Sequence, residues 1–258
     1  MLPEGLIQAF GLYLVRTSAL VLAAPLLASG SAFAGYRLGL VGVLSLVMFL
    51  ISGEPLVEDP GVLGFALLAG RELVIGFSLA FVLHTVVLAV KVAGHMVGQE
   101  MGFNMASQSD PVTGTSTPII GHFYETLFML ILLSVNGHLW MVRGLVESFN
   151  RAPVGEIALG SGVTGVALEL FSSLFAAGLT FAAPVFLVLL LVSVLIGLLA
   201  RSVPQINVIE FSFSARIIGG FLSLAMFAPM IEPASQTLLN ALMDGMAAGL
   251  DALEVSGG

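Results

Sequence analysis

An uncharged stretch, LFSSLFAAGLTFAAPVFLVLLLVSVLIGLLA, occupies residues 170–200 of the chain. As one α-helix rising about 1.5 Å per residue it would be about 46 Å long. The hydrocarbon core of a bilayer is only about 30 Å thick. Pro184 lies near the middle of the stretch, where it removes a backbone donor and clashes with the preceding turn. We therefore expect a kinked helix, or a hairpin of two half-length helices, in a membrane.

The composition of the whole chain points the same way. Of its 258 residues 58% are hydrophobic and only 9% are charged, and the mean hydropathy is +1.08. A soluble domain of this length needs far more polar residues to cover its surface. The apolar segments occupy residues 5–28, 38–51, 61–92, 119–142, 163–200, 215–231 and 235–253. We predict an all-α membrane protein, a single domain over residues 1–258, with about six to seven helices, some kinked or paired as hairpins.

The polar residues exclude several classes of function. The absence of cysteine excludes disulfides, thiolate metal sites and cysteine nucleophiles. The net charge is −8, and the eight Lys and Arg residues form no cluster that would bind nucleic acid. His122, Glu125 and His138 lack the spacing of a metal site, and the Gly-rich residues 160–165 follow no strand of the kind a dinucleotide site needs. We predict no enzyme activity, no metal, no cofactor and no nucleic-acid partner.

The N-terminal segment imitates a signal peptide. Arg16, the apolar residues 17–27 and the Ala-Phe-Ala sequence at 32–34 match its three regions. The residues before Arg16, however, include Glu4 and are themselves apolar, whereas the first region of a signal peptide is short and basic. We predict a retained helix over residues 5–28, with cleavage after the Ala-Phe-Ala sequence as the alternative.

Three glycines, Gly94, Gly98 and Gly102, recur at every fourth residue. On a helix they would form one smooth strip where another backbone can approach closely. The hydrophobic effect does not drive helices together in lipid, so such a strip indicates tightly packed partners. These partners would come from within the chain or from other subunits.

The same segment carries a polar stripe at helical spacing, formed by His84, Lys91, His95 and Gln99. Ionisable groups are costly in a membrane and usually mark a water-lined path or an ion pair between helices. One interpretation is a proton relay. The other, which we favour, is that Lys91 forms an ion pair with an acid such as Glu100 or Glu72 in an assembled interface.

Residues 102–118 lack the periodicity of a helix or a strand, although they lie between two strongly apolar segments. Backbone that is not helical is tolerated at membrane depth only where protein buries it or where it lines a watery cavity. We therefore favour a plug or re-entrant loop over an ordinary surface loop. The residues that would seal or shape it are Met101, Phe103, Asn104, Met105, Ser107, Gln108, Asp110, Pro111, Gly114 and Pro118.

Further short motifs recur along the chain. They are Arg16 with Pro25, Arg71-Glu72 with Gly76, Asp110-Pro111 with Pro118, Asn136-Gly137-His138, Glu147-Ser148-Phe149 with Pro153, Pro184, and the run through Arg201, Pro204, Gln205, Asn207 and Val208. In this order, and together with the glycine series, they resemble the FliR family of flagellar biosynthetic proteins and its counterparts in virulence secretion systems. The resemblance covers essentially the whole chain. It weakens after Val208, where residues 209–216 depart from the family pattern and the helix is expected to start near residue 214.

The resemblance implies a helical export gate built with FliP- and FliQ-like subunits, with which FlhB-like and FlhA-like export apparatus proteins associate. Unfolded flagellar proteins would pass through it, residues 103–118 would be its plug, and no covalent chemistry is implied. The gate would lie in the bacterial inner membrane, in contact with lipid, within the flagellar basal body. The residues expected to serve helix packing or assembly are Gly94, Gly98, Gly102, Glu72, Gly76, Lys91, Glu100, Pro184, Arg201, Pro204, Gln205 and Asn207.

A stand-alone proton-coupled transporter is the alternative function. Its relay would consist of His84, Lys91, His95 and Glu100, and the helix broken at Pro184 would form a site near the midplane of the membrane. Such a transporter would need no partner subunits.

Overall fold

A computed structural model describes residues 4–25, 34–56, 60–103, 119–155, 163–202 and 207–253. Within these ranges all regular structure is α-helical, which confirms the predicted fold class. The described helices are α1 (Glu4–Ala23), α2 (Ala34–Ser52), α3 (Gly61–Glu100), α4 (Ile119–Ser134), α5 (Gly137–Arg151), α6 (Val163–Ser202) and α7 (Val208–Leu253).

Most of these helices are suited to a bilayer. In the described ranges, five helical stretches are long and apolar enough to cross a membrane, and α4 with α5 would make a sixth if that bent pair forms one span. A helix satisfies its backbone N–H and C=O groups internally, as hydrocarbon requires. The five stretches are Gly5–Ala23, Gly35–Ser52, Gly61–Glu100, Ala182–Ser202 and Glu210–Met230.

The prolines do not divide the long C-terminal helices. α6 continues through Pro184 over 40 residues, so the alternative of a hairpin is wrong. α7 continues through Pro229 and Pro233 over 46 residues, although the sequence predicted two segments there. It also begins at Val208 rather than near residue 214. Proline is tolerated inside membrane helices because neighbouring helices and hydroxyl side chains can satisfy the carbonyls it frees.

The segment predicted at 119–142 is divided into two helices. α4 ends at Ser134, α5 begins at Gly137, and the two helices are bent by 70° at the break. Asn136 adopts the left-handed conformation, with φ 59°, which Asn tolerates better than most residues that have a side chain. A single residue in this conformation ends the run of helical hydrogen bonds and redirects the chain.

Two further boundaries differ from prediction. α1 ends at Ala23 instead of residue 28, shortly before Pro25, because the residue preceding a proline disfavours the helical conformation. α3 continues to Glu100, beyond the predicted end at residue 92. The added turns carry His95 and Gln99, whose polarity ended the apolar pattern but not the helix.

Backbone contacts divide the chain into two compact units. Unit 1 comprises Met1–Thr85, Leu133–Ser173 and Ala241–Gly258, and unit 2 comprises Val86–Leu132 and Leu174–Asn240. The helices α3, α6 and α7 each contribute residues to both units. The single domain over residues 1–258 therefore stays a prediction.

Aromatic residues organise the packing of α1 in unit 1. The Tyr13 hydroxyl donates a 2.8 Å hydrogen bond to the Ser52 carbonyl at the end of α2. The Tyr13 ring stacks on Phe149 of α5, with 4.3 Å between ring centroids, and meets the edge of Phe49 at 5.6 Å. Phe10 also contacts Phe49, at 5.5 Å. One face of α1 is thereby fixed to both α2 and α5.

Candidate functional site

Two glycines allow α3 and α4 to approach closely in unit 2. A Cβ added to Gly94 would lie 2.8 Å from the Tyr124 Cβ and 3.0 Å from the Ile120 carbonyl oxygen, so Gly94 meets backbone as well as side chain. A Cβ at Gly98 would lie 3.2 Å from the Ile120 Cβ. Tyr124 and Ile120 are buried in this contact. The structure therefore places the close packing of these two glycines within the chain.

Gly102 does not continue this strip, contrary to the prediction. α3 ends at Glu100, and Gly102 has φ 87°, a left-handed conformation that favours glycine at the end of a helix. A Cβ at Gly102 would meet the Phe213 ring of α7 at 3.2 Å. Met101 is fully buried and packs on Gly220, also on α7. The residues after Glu100 thus contact α7, where the glycine spacing had predicted one more turn of α3.

Lys91 forms an ion pair with an acid that the sequence did not indicate. Its Nζ lies 3.1 Å from Glu125 Oε2 of α4, an acid other than the two examples in the prediction, Glu100 and Glu72. His122 Nδ1 lies 3.0 Å from the same carboxylate oxygen. The Lys91 and Glu125 side chains are 35% and 25% exposed. This ion pair lies beside the Gly94 contact and ties the same two helices together.

The other members of the polar stripe have local surroundings. His95 Nε2 and Gln99 Nε2 are 3.0 Å apart, one helical turn from each other. His84 is exposed and lies in unit 1, where it borders a cavity of about 460 Å³ lined by Leu22, Ala23, Phe77, Ala80 and Phe81. Glu100 is half-buried at the end of α3.

Phe103 marks the beginning of the predicted plug. Its ring contacts Phe221 of α7 edge to face, with 6.4 Å between centroids. Both rings line an apolar groove of about 740 Å³ that also contacts Ile119, the first residue of α4. The remaining predicted plug residues, Asn104, Met105, Ser107, Gln108, Asp110, Pro111, Gly114 and Pro118, lie outside the described residues.

The remaining residues predicted for packing or assembly lie on or near α6 and α7. Pro184 is half-buried and lines a cavity of about 440 Å³ in unit 2, together with Tyr124 and Pro233. Arg201 is exposed at the end of α6. Asn207 precedes α7 and its Nδ2 donates a 3.2 Å hydrogen bond to Glu210. Pro204 and Gln205 lie outside the described residues.

A buried charge cluster occupies the interior of unit 1. Arg16 of α1 donates from Nε to Glu72 Oε2 of α3 at 2.5 Å, and both side chains are 0% exposed. Arg71 Nη1 donates to the other oxygen of Glu72 at 3.1 Å and to the Pro153 carbonyl at 2.8 Å. One carboxylate therefore lies between two guanidinium groups. A buried charge is costly unless it is paired and hydrogen-bonded, and these contacts satisfy that condition.

Arg16 has a second set of partners at the end of α5. Its Nη1 donates to the Ser148 carbonyl at 2.7 Å, and its Nη2 donates to the Ala152 carbonyl at 2.8 Å. The guanidinium also lies over the Phe149 ring, with its carbon 4.2 Å from the centroid. The sequence alone assigns Arg16 no structural partner, since Arg16 enters only through the signal-peptide pattern and the family motif. The signal that could have identified it is the position of an arginine inside an apolar helix, which usually marks a functional or structural partner.

Glycine also closes the contact around this cluster. A Cβ at Gly76 of α3 would clash with the Arg16 carbonyl oxygen and lie 2.7 Å from the Ala19 Cβ. In unit 2, a Cβ at Gly178 of α6 would lie 3.0 Å from the Ala89 backbone carbon of α3. Gly76 belongs to the family motif, whereas nothing in the sequence indicated Gly178, which belongs to no repeat of glycines.

No group of three or more His, Asp or Glu side chains suited to a metal ion occurs among the described residues. The candidate residues instead form contacts between helices. The glycines allow backbones to approach closely, and the charged side chains form ion pairs with one another. Together with the apolar helices, these features define the chain as a polytopic α-helical membrane protein.

Comparison with known proteins specifies the family. A family model of bacterial export proteins, family 1, matches residues 7–242. The flagellar biosynthetic protein FliR of Escherichia coli (strain K12) is 30% identical over 91% of this chain and 89% of its own length. The FliR of Bacillus subtilis (strain 168) is 32% identical over 85% of each chain, and that of Pectobacterium carotovorum is 28% identical over 90% of this chain and 89% of its own. The chain belongs to the FliR family of bacterial export proteins, which confirms the resemblance, and it is a membrane component of the flagellar export apparatus.

Proposed function

We propose that the chain is a subunit of the export gate, forming with FliP- and FliQ-like subunits the channel through which unfolded flagellar proteins leave the cell. The gate would lie in the inner membrane, in the flagellar basal body, next to FlhB-like and FlhA-like export apparatus proteins. Family membership supports the role in export. The arrangement of exposed apolar residues supports the role as one subunit among several.

The observation that carries this proposal is the length of the exposed apolar surface on single helices. On α6 it extends from Leu168, 74% exposed, to Leu199, 46% exposed. That separation is about 46 Å along the helix at 1.5 Å per residue. On α3, which contains no proline, Val62 is 92% and Leu88 is 39% exposed, and they lie about 39 Å apart.

Lipid alone does not account for the surface on α6. A bilayer offers about 30 Å of hydrocarbon, and transmembrane helices tilt by about 20° on average and rarely beyond about 40°. About 32 Å of helix fits within that thickness at a tilt of about 20°, and about 39 Å fits at about 40°, so α3 needs the steepest tilt and α6 exceeds it. The remaining apolar surface requires another apolar cover, because water is a poor solvent for it. Helices of partner subunits would supply that cover.

For residues 103–118 we keep the plug as part of the proposal. A channel wide enough for an unfolded polypeptide would also pass ions, so the resting gate needs a seal that the substrate can displace. Phe103 packs on Phe221 at one end of the segment. Met105 within it is the type of residue that can seal without a fixed shape. Met101, in contrast, is fully buried against Gly220, so we assign it to packing within unit 2.

Co-purification tests the proposal. The chain, carrying an affinity tag, is produced with FliP- and FliQ-like proteins of the same bacterium and is extracted in a mild detergent. We expect all three proteins in one complex. A chain that purifies without either partner, while still supporting uptake or efflux of a solute driven by a proton gradient, would favour the transporter instead. No contact in the described residues favours the transporter, because Lys91 is engaged with Glu125 and His95 with Gln99.

A deletion tests the plug separately. We expect the removal of residues 106–115 to leave the complex intact and to increase the leak of small ions when all three subunits are overproduced. A single Ser107→Cys substitution gives a reversible version, since the chain has no other cysteine. Crosslinking it to a partner should stop export until reductant is added. A complex that forms, does not leak and exports normally after the deletion would show that the segment is only a connector.

A further inference from the structure

Arg16 makes more contacts than an ion pair needs. Four hydrogen bonds join its guanidinium to other groups: one to the Glu72 carboxylate, two to the carbonyl and hydroxyl of Ser148, and one to the carbonyl of Ala152. The side chain is 0% exposed. The contacts reach α3 and the end of α5, and they use all three nitrogens of the group.

The acceptors lie at the C-terminal end of α5, which carries partial negative charge. Ala152 is the C-cap residue, and its carbonyl is one of those that a helix leaves without an intrahelical N–H. The Ser148 carbonyl already accepts from the Ala152 N–H at 3.0 Å, and Arg16 supplies a second donor to that oxygen. Arg71 donates to the Pro153 carbonyl, just beyond the helix. Two arginines of α1 and α3 therefore cap α5 from outside.

The charges agree with this arrangement. Two guanidinium groups contact the Glu72 carboxylate. They also donate to the carbonyls at residues 148, 152 and 153, where the negative end of the α5 dipole stabilises a cation.

We propose that Arg16 is a positioning residue that holds the C-terminal end of α5, residues 148–153, against α1 and α3. We call this set of contacts the lock. The lock requires the planar arrangement of the guanidinium donors and not only the positive charge. Arg71 also belongs to the lock, because it donates to the Pro153 carbonyl. The Glu72 carboxylate accepts from both arginines and keeps them in place. The lock fixes where the chain leaves the bent pair of α4 and α5. It depends on no partner subunit and on no step of export.

Local exposure of the locked segment provides the test. Ala152 is 1% exposed, so an Ala152→Cys substitution in the full chain places a buried thiol at the centre of the lock and leaves the carbonyl in place. Ala182→Cys, in a residue 2% exposed on α6, is the matched reporter in unit 2. Labelling of each thiol by a maleimide reagent is measured in the detergent-solubilised protein.

Three variants separate the lock from a simple ion pair. Arg16→Lys keeps the positive charge and loses the planar guanidinium donors. The exchange Arg16→Glu with Glu72→Arg keeps an ion pair between residues 16 and 72 but removes the donors from the carbonyls at the end of α5. We expect each to raise labelling at position 152 by about tenfold, the equivalent of one lost charge-assisted hydrogen bond, with labelling at 182 unchanged. Arg143→Lys, an exposed arginine on the same helix α5, is the control and should change neither rate.

The proposal fails if Arg16→Lys leaves labelling at 152 unchanged, or if the exchanged pair restores the wild-type rate. Where Arg16→Lys raises labelling at both positions because the whole chain unfolds, Arg71→Lys decides. That variant changes only the donor to the Pro153 carbonyl and leaves the contacts of Arg16 to α5 in place. We expect the labelling rate to rise at position 152 and not at 182, by less than it does for Arg16→Lys. An unchanged rate for Arg71→Lys would overturn the lock.

Discussion

The charge cluster of unit 1 and the glycine contact of unit 2 join helices in opposite ways. At Arg16, Glu72 and Arg71, three side chains lie between helices, and the two arginines each donate to the Glu72 carboxylate. At Gly94 and Gly98, the helices meet because side chains are missing. A contact made by paired charges depends on every member, because one loss leaves another charge unpaired in the interior. A contact made by small residues depends only on shape.

This difference predicts the largest effect for the loss of Glu72. Glu72→Gln removes the carboxylate with which buried Arg16 forms an ion pair, and breaking a buried ion pair costs about 3–5 kcal/mol. We expect the free energy of unfolding of the detergent-solubilised protein to fall by that amount. Glu147→Gln, which removes an exposed partner of Arg151, is the control and should have little effect. Equal effects of the two substitutions would show that Glu72 and the arginines around it are solvated and not buried.

Substitutions in the glycine contact should lower stability less than Glu72→Gln does. The loss should be larger where the added side chain would lie closer to its neighbours. A leucine at Gly94 must displace the Ile120 backbone as well as Tyr124, whereas at Gly98 it meets only the Ile120 side chain. Overpacking costs about 1–3 kcal/mol, and we expect Gly94→Leu at the upper end and Gly98→Leu at the lower end of this range. Both should reduce co-purification with the partner subunits and motility.

Gly70 is the matched control for this series, because it lies on α3 and a Cβ there meets nothing within 4 Å in the chain. Gly70→Leu should leave the stability of the isolated chain unchanged. If Gly70→Leu and Gly94→Leu destabilise the isolated chain equally, close approach is not what Gly94 contributes.

The smallest effect is expected at Lys91. The ion pair with Glu125 is partly exposed, and such pairs contribute about 0–1 kcal/mol. Lys91→Met should therefore lower stability slightly, and Lys91→Met combined with Glu125→Gln should be no worse than the sum of the two single changes. The reduced assembly that we predict for Lys91→Met is measured by pull-down of the partner subunits. Normal assembly together with export that no longer responds to the proton-motive force would support the relay instead.

The two regions also differ in how well the sequence predicted them. The repeat of Gly94 and Gly98 is a local pattern, and local patterns are readable from one sequence. The partner of Lys91 is Glu125, which lies 34 residues later on another helix. The segment between the two helices has no periodicity, so the sequence does not predict which residues of α3 and α4 lie side by side. Arg16 joins residues 56, 132 and 136 positions away. No periodicity within α1 identifies such partners.

Helix boundaries show the same limit. Pro184 predicted a kink or a hairpin, and the apolar pattern predicted separate segments at 215–231 and 235–253, yet α6 and α7 are each continuous. The break at Asn136 was missed because it depends on one residue in the left-handed conformation and not on composition. The number and apolar character of the helices were predictable because the bilayer imposes them.

The central claim is that the long exposed apolar faces are contacts with partner subunits, and photo-crosslinking tests it most directly. A photoreactive amino acid is placed at Val62 or at Leu191, which are 92% and 57% exposed, and at the buried Leu189 as a control. After irradiation of membranes containing the FliP- and FliQ-like subunits, we expect adducts of the chain with a partner subunit from Val62 and Leu191, and none from Leu189. Adducts with lipid alone at both exposed positions, in membranes where the partner subunits are present at normal levels, would contradict the claim.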